Sequence, residues 1–139
     1  MKRIFTVIGL LAVSFLLSVA GLSCSNDEIS ALLGKEFVLP VGKTAVIKGE
    51  YLTLEFVKVE ADSRCAKGVE CISAGEAKCR MLIKYRGAAS DIVFVQPDGN
   101  TSNFGLLGNY KVHYNLKPYP ESGKQILDSE YNLVITITK

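Results

Sequence analysis

Short runs of alternating apolar and polar residues recur along most of the chain, and they constrain its fold more than any other feature. In the run 131–138, Leu133, Ile135 and Ile137 fall on one face, and Asn132, Thr136 and Thr138 fall on the other. A period of two places such side chains on one face of a β-strand. Turn-forming residues separate the runs, most clearly at Pro97-Asp98-Gly99-Asn100. The pattern predicts a domain built from short strands.

About seven such strands fall within roughly a hundred residues, and no long amphipathic helix accompanies them. This combination predicts an all-β domain, an immunoglobulin-like β-sandwich, with a small β-barrel as the alternative. The run 92–95 (Ile-Val-Phe-Val) is apolar at every position. A strand that is apolar on both faces is typical of the centre of a covered sheet, so this run predicts a central strand.

The amino terminus has the parts of a secretory signal. Lys2 and Arg3 precede an apolar run from Ile4 to Ala20, and the sequence turns polar soon after Cys24. An uncleaved membrane anchor is the alternative, because the run is only slightly shorter than the roughly 20 residues that a span needs.

Cys24 distinguishes a lipoprotein signal from a plain one. Small residues before a cysteine at the end of an apolar run resemble the bacterial lipobox: Ser23 fits the position before the cysteine, whereas Leu22 lies one place later than the usual leucine. The resemblance implies that Cys24 carries lipid and begins the mature chain. We therefore expect a signal peptide at 1–23, a tether at 24–34 and the β-sandwich domain at 35–139.

The expected location is the outer membrane of the bacterial cell envelope, on its periplasmic face or at the cell surface, with the lipid chains of Cys24 as the anchor. The acidic pair Asp27-Glu28 resembles the tether of lipoproteins displayed at the surface of the outer membrane. The formal charge of +2 comes from Lys2 and Arg3, so the mature domain is near neutral. Because it has no basic stripe, we do not expect nucleic acid as a partner.

The remaining cysteines, Cys65, Cys71 and Cys79, allow three disulfide pairings in an oxidising compartment. Cys79 alternates with Met81 and Ile83 on an apolar strand face, which is typical of a buried, inert thiol. Cys65 and Cys71 lie in a turn-rich stretch, and their pairing is preferred.

Few residues have the pattern of a catalytic or metal site. His113 lies on the polar face of a strand with Lys111 and Asn115, and no nucleophile motif accompanies it. Asp62 and Glu76 flank the cysteine loop as candidates for an acid–base pair, although loop carboxylates are more often solvated or capping groups. Zinc requires four ligands, and no spacing motif supplies them. We expect no catalytic residues, no metal and no cofactor, and hence a protein that is not an enzyme.

The stretch from Asp62-Ser63-Arg64-Cys65 to Cys71 and on to Ala74-Gly75-Glu76-Ala77 is the most distinctive. It resembles a motif of small, largely uncharacterised bacterial lipoproteins and secreted proteins, Asp-Ser-Arg-Cys-Pro followed by Cys-x-Trp-Ala-Gly-x-Ala. Ala66 replaces the proline and Ser73 the tryptophan. The resemblance implies a Cys65–Cys71 disulfide and a β domain, and it implies no activity.

This motif has two interpretations. In the first it is a connection between two strands that is closed by the disulfide, and Gly75 supplies a positive φ in it. In the second it is a rigid recognition loop, with Asp62, Ser63, Arg64 and Glu76 as candidate binding residues.

Two functions follow from these expectations. The first is a membrane-anchored envelope lipoprotein whose β domain is structural or binds an envelope protein or glycan without catalysis. The alternative is an exported protease inhibitor of the small β-sandwich type, presenting the loop 62–75 or the loop 104–109.

Overall fold

The computed structural model describes residues 28–98, 102–105 and 109–139, with the backbone alone at 102–105. Within these residues, nine strands form and a 3₁₀ helix (Asp128–Glu130) precedes the last of them. The strands are β1 (Glu28–Ala31), β2 (Glu36–Pro40), β3 (Thr44–Ile47), β4 (Leu52–Asp62), β5 (Glu76–Tyr85), β6 (Ala88–Pro97), β7 (Ser102–Gly105), β8 (Lys111–Lys117) and β9 (Asn132–Thr138).

The strands form two separate sheets. The first has the order β1-β3-β4-β5-β6, and the second has the order β2-β9-β8-β7. Neighbouring strands pair antiparallel, except that β1 runs parallel to β3. The predicted all-β sandwich is confirmed, and the sheets do not close into a barrel.

Two strands of the described residues were not anticipated, β1 and β7. Both have four residues and lie at the edges of their sheets, and β1 falls within the stretch 24–34 that we expected to be a tether. Four residues at an edge leave little alternation to detect in a sequence.

The core lies between the sheets and is built by the predicted alternation. In β5, Ala77, Cys79, Met81 and Ile83 are at most 1 % exposed, while the residues between them are more accessible. The buried set is completed mainly by apolar residues of β3, β4, β8 and β9, among them Ala45, Ile47, Leu52, Leu54, Phe56, Val112, Leu116, Leu133, Ile135 and Ile137. Burial of these side chains is the main force that holds the sheets together.

The prediction of a central strand at 92–95 was wrong. Strand β6 is the last strand of the first sheet, and Val93 and Val95 on its outer face are exposed. β-Branched residues favour the extended backbone even where they are not fully buried, so an apolar run does not require cover on both faces.

Two ends of the sandwich are distinguished below. The disulfide end contains the loop 63–75, Asp98 and the loop 118–131. The turn end contains the turns 32–35, 48–51 and 86–87 together with Lys139.

Candidate functional site

The disulfide end is organised around a buried ion pair between Asp62 and Arg64. Asp62 ends β4, and its Oδ2 lies 2.6 Å from Arg64 Nη2, while Arg64 Nε donates to Asp62 Oδ1 at 2.8 Å. The two side chains are 7 % and 0 % exposed, respectively. A guanidinium that binds both carboxylate oxygens in this way fixes its partner in position as well as in charge.

Arg64 also binds the second sheet. Its Nη1 donates to the carbonyl oxygen of Leu116 at 2.8 Å, and its Nη2 donates to that of Pro118 at 3.0 Å. Its guanidinium carbon lies 5.1 Å from the ring centroid of Tyr119. Burial acts to lower the pKa of Arg64, but hydrogen bonding to Asp62 and its charge outweigh this and leave the pKa raised. The charged side chain of Arg64 therefore links the first sheet to the second.

Tyr131 completes this cluster from the other side of Asp62. It follows the 3₁₀ helix and is buried, and its hydroxyl donates to Asp62 Oδ2 at 3.1 Å. Burial, with the charge of Asp62 as a second cause, raises the pKa of Tyr131 to about 12. Asp62 thus accepts hydrogen bonds from an arginine and from a neutral phenol.

The cysteine loop is closed by a Cys65–Cys71 disulfide with a Cα–Cα distance of 6.0 Å, which confirms the preferred pairing. The loop also contacts its neighbours through the backbone. Lys67 N donates to Pro120 O at 3.0 Å, and Cys65 N donates to a carboxylate oxygen of Asp98 at 3.0 Å. Three segments distant in sequence are therefore joined at this end.

Ser63 and Gly75 lie where the loop returns to β5. Ser63 Oγ donates to Glu76 O and accepts from Glu76 N, at 3.0 and 3.1 Å. The expectation that Gly75 supplies a positive φ was wrong, since it is not among the positive-φ glycines. A Cβ at Gly75 would instead lie 1.6 Å from Ser63 O, so glycine is required by the close approach of two backbones.

The accessible surface of the disulfide end is formed by other residues. Ile72 is fully exposed and Val69 is half exposed, next to the disulfide. A shallow pocket of about 200 Å³ lies beside the loop, between Tyr119, Lys124, Ile126 and Glu130. Of the candidate binding residues, Asp62 and Arg64 face inward and bind each other, whereas Ser63 and Glu76 are more accessible.

The free thiol of Cys79 is buried in the core, as the strand pattern predicted. Burial raises its pKa from 9.0 to about 12, so the nucleophilic thiolate is scarce at neutral pH. This thiol has the properties of a small apolar core residue.

The carboxylates of Asp62 and Glu76 do not form a pair. Asp62 is bound by Arg64 and Tyr131, while Glu76 forms an ion pair with Lys78 at 2.9 Å. His113 lies exposed on the outer face of β8. Over the described part of the chain, no group of His, Cys, Asp and Glu side chains could hold a metal ion, and no helix is long and apolar enough to cross a membrane.

Two predicted features lie at least partly outside the described residues, and three residues of the site were not predicted. Cys24 lies outside the described residues, as does part of the loop 104–109. The roles of Tyr131, Tyr119 and Asp98 were missed. The signal for Tyr131 was its position at the start of an alternating run. Comparisons with protein-family models, with curated proteins and with solved structures found no match for this chain.

Proposed function

We propose that the protein is a lipoprotein of the bacterial cell envelope, anchored through lipid on Cys24, whose β-sandwich is a non-enzymatic binding domain. The observation that carries this proposal is the lipobox-like cysteine at the end of a signal-like segment, only four residues before strand β1. A tether of that length keeps the folded domain at the membrane surface.

The disulfide supports an extracytoplasmic location. A disulfide between Cys65 and Cys71 persists in the oxidising compartments that exported proteins enter, and it is rare in reducing cytoplasm. The buried pair of Asp62 and Arg64 supports a structural role for these two residues, because each is in contact with the other, and it fixes the start of the cysteine loop.

The test is metabolic labelling of the full chain with an alkyne analogue of palmitate in a bacterial host, followed by membrane fractionation. We expect label and membrane association in the native chain and in the control Cys79→Ala, and loss of the label in Cys24→Ala, whose uncleaved apolar segment can still hold the chain at the membrane. Label that persists in Cys24→Ala, or an unlabelled native chain, would overturn the anchor.

A second candidate, an exported protease inhibitor, is favoured by one observation. Ile72 is fully exposed next to a disulfide, on a loop whose backbone is held by Pro120 and Asp98. Inhibitors present such rigid exposed side chains to protease clefts. The full chain would be assayed at micromolar concentration against serine, cysteine and metalloproteases, with Ile72→Asp as the variant. Inhibition that Ile72→Asp abolishes would support this candidate, and no inhibition of any class would reject it.

A further inference from the structure

Several segments meet at the turn end and are joined by backbone hydrogen bonds. Lys48 N donates to Ala31 O at 2.8 Å, and Arg86 N donates to Tyr51 O at 3.0 Å. These bonds join the end of β1 to the β3–β4 turn and the β3–β4 turn to the β5–β6 turn. Side chains from different parts of the sequence are therefore held side by side.

Positive charge is concentrated at this end, although the domain as a whole is near neutral. The turns and the strand residues beside them carry six cations and two carboxylates, whereas the rest of the described chain carries eight cations and eleven carboxylates. The members of the basic set are Lys35, Lys48, Lys84, Arg86, Lys111 and Lys139, with Glu36 and Glu50 as the acidic ones. Lys139 forms an ion pair with Glu50 at 3.0 Å, and the other five cations outnumber the remaining carboxylate. Such a surface attracts an anionic partner.

Arg86 has a backbone conformation that arginine rarely adopts. Its φ is 49°, and it forms a two-residue turn with Gly87 between paired residues Tyr85 and Ala88. Asparagine or glycine usually fills this position. Of the described residues it is the one non-glycine with a positive φ, and residues held in this way cluster at functional sites.

An exposed aromatic ring accompanies this cation. Tyr51 is 80 % exposed, and its carbonyl oxygen binds the backbone of Arg86. Arginine and lysine side chains bind carboxylates, and a tyrosine ring offers an apolar face with a polar edge to a flat partner such as a sugar ring. Together, these groups can recognise an anionic sugar.

We propose that the turn end binds a carboxylate-bearing polysaccharide, through Arg86, Lys48 and Tyr51. This deepens the proposed function, on which it rests, by naming the class of partner that the domain binds. Anionic phospholipid headgroups offer charge, whereas the exposed ring of Tyr51 provides a flat apolar face for a sugar ring. An acidic protein would require a larger apolar contact area than this end offers. Among the described residues, its large exposed apolar side chains are Leu32 and Tyr51.

The experiment measures binding of the full chain, purified in non-ionic detergent as the cell produces it, to polygalacturonate in 50 mM NaCl. Fully methyl-esterified polygalacturonate has the same backbone without the charge and is the matched control ligand. We expect binding to the acid form, little to the ester, and weakening as salt rises to 200 mM.

The variant Lys48→Ser/Arg86→Asn removes two cations while keeping a residue that accepts a positive φ. We expect it to weaken binding by about tenfold, and Tyr51→Ala to weaken it by about threefold. The control Lys58→Ser/Lys117→Ser removes the same charge from exposed residues away from the turn end, and it should change the affinity less than about twofold.

Equal loss in the control variant, equal binding of the ester, or no binding to polygalacturonate would overturn the proposal. So would equal or tighter binding to duplex DNA or to anionic phospholipid vesicles, since the site would then recognise charge alone. Palmitate labelling at Cys24 is measured independently. Polysaccharide binding without labelling would remove the anchor and leave the site, and labelling without binding would do the reverse.

Discussion

Arg64 Nη1 lies 2.8 Å from the carbonyl oxygen of Leu116. A residue just after strand β4 of the first sheet therefore donates a hydrogen bond to the backbone of the second sheet. The same guanidinium binds Asp62 and the carbonyl oxygen of Pro118. The contact between the two sheets is otherwise mainly apolar. At this end a polar cluster joins them, and its charged groups are hydrogen-bonded to one another and to the backbone.

Replacing Arg64 by alanine should lower the free energy of unfolding by about 3–5 kcal/mol, because it leaves the carboxylate of Asp62 buried without its cation. The measurement is urea unfolding at pH 7. Arg80→Ala is the control, because Arg80 pairs with Asp91 on an exposed sheet face and should contribute less than about 1 kcal/mol. Similar losses in the two variants would contradict the structural role of the buried pair.

Tyr131→Phe should cost about 1 kcal/mol at pH 8, because it removes the hydrogen bond to Asp62. The pKa of Tyr131 is 10.0 without the fold and about 12 within it, so its stabilising contribution is complete below pH 10 and is lost as the pH rises to 12. The difference in stability between native and variant should therefore shrink from pH 10 to pH 12. A difference that grows over this range would contradict the raised pKa.

The thiol of Cys79 should resist modification in the folded protein. Its side chain is buried and its pKa is about 12, so a thiol-specific reagent at pH 8 should react in urea and not in buffer. Mass spectrometry without reductant gives the site of modification. Rapid labelling under native conditions would show that the core around β5 opens readily.

Gly75→Ala should lower stability by about 2–3 kcal/mol, because its methyl group would overlap the carbonyl oxygen of Ser63 and force the strands apart. Ser73→Ala, at an exposed position in the same loop, is the control and should change stability by less than about 0.5 kcal/mol. Thermal unfolding of the two variants distinguishes them. An unaffected Gly75→Ala variant would mean that this approach relaxes easily.

Removing the disulfide with Cys65→Ser/Cys71→Ser should cost about 2 kcal/mol, the value for closing a short loop in the unfolded chain. The domain should still fold, since Cys65 N and Lys67 N keep their backbone contacts to Asp98 and Pro120. Urea unfolding of the variant and of the reduced native chain should agree. Complete unfolding of the variant would show that these contacts depend on the disulfide.

The sandwich was predictable because alternation marks the strands that cover the core. Leu52 and Leu54 in β4, and Ile135 and Ile137 in β9, are buried as their spacing indicates. Strand order carries no comparable signal. The edge position of β6 was missed because Val93 and Val95 are residues that are also typical of a central strand.

The candidate site was less predictable, because its members are brought together only by tertiary structure. Arg64 and Asp62 were selected from a local motif, but their partner Tyr131 lies 69 residues from Asp62. The disulfide could be inferred because both cysteines lie in one loop. The reason for Gly75 could not be inferred, since the carbonyl oxygen that excludes a side chain belongs to Ser63, twelve residues earlier and directly after β4.

The parallel pairing of β1 with β3 also has a mechanical consequence. A force applied at Glu28 along the axis of β1 would load the four residue pairs that connect it to β3 at the same time. A force across that axis would instead separate the strand from β3 one pair at a time. At this edge the domain therefore resists tension along its strands better than tension across them.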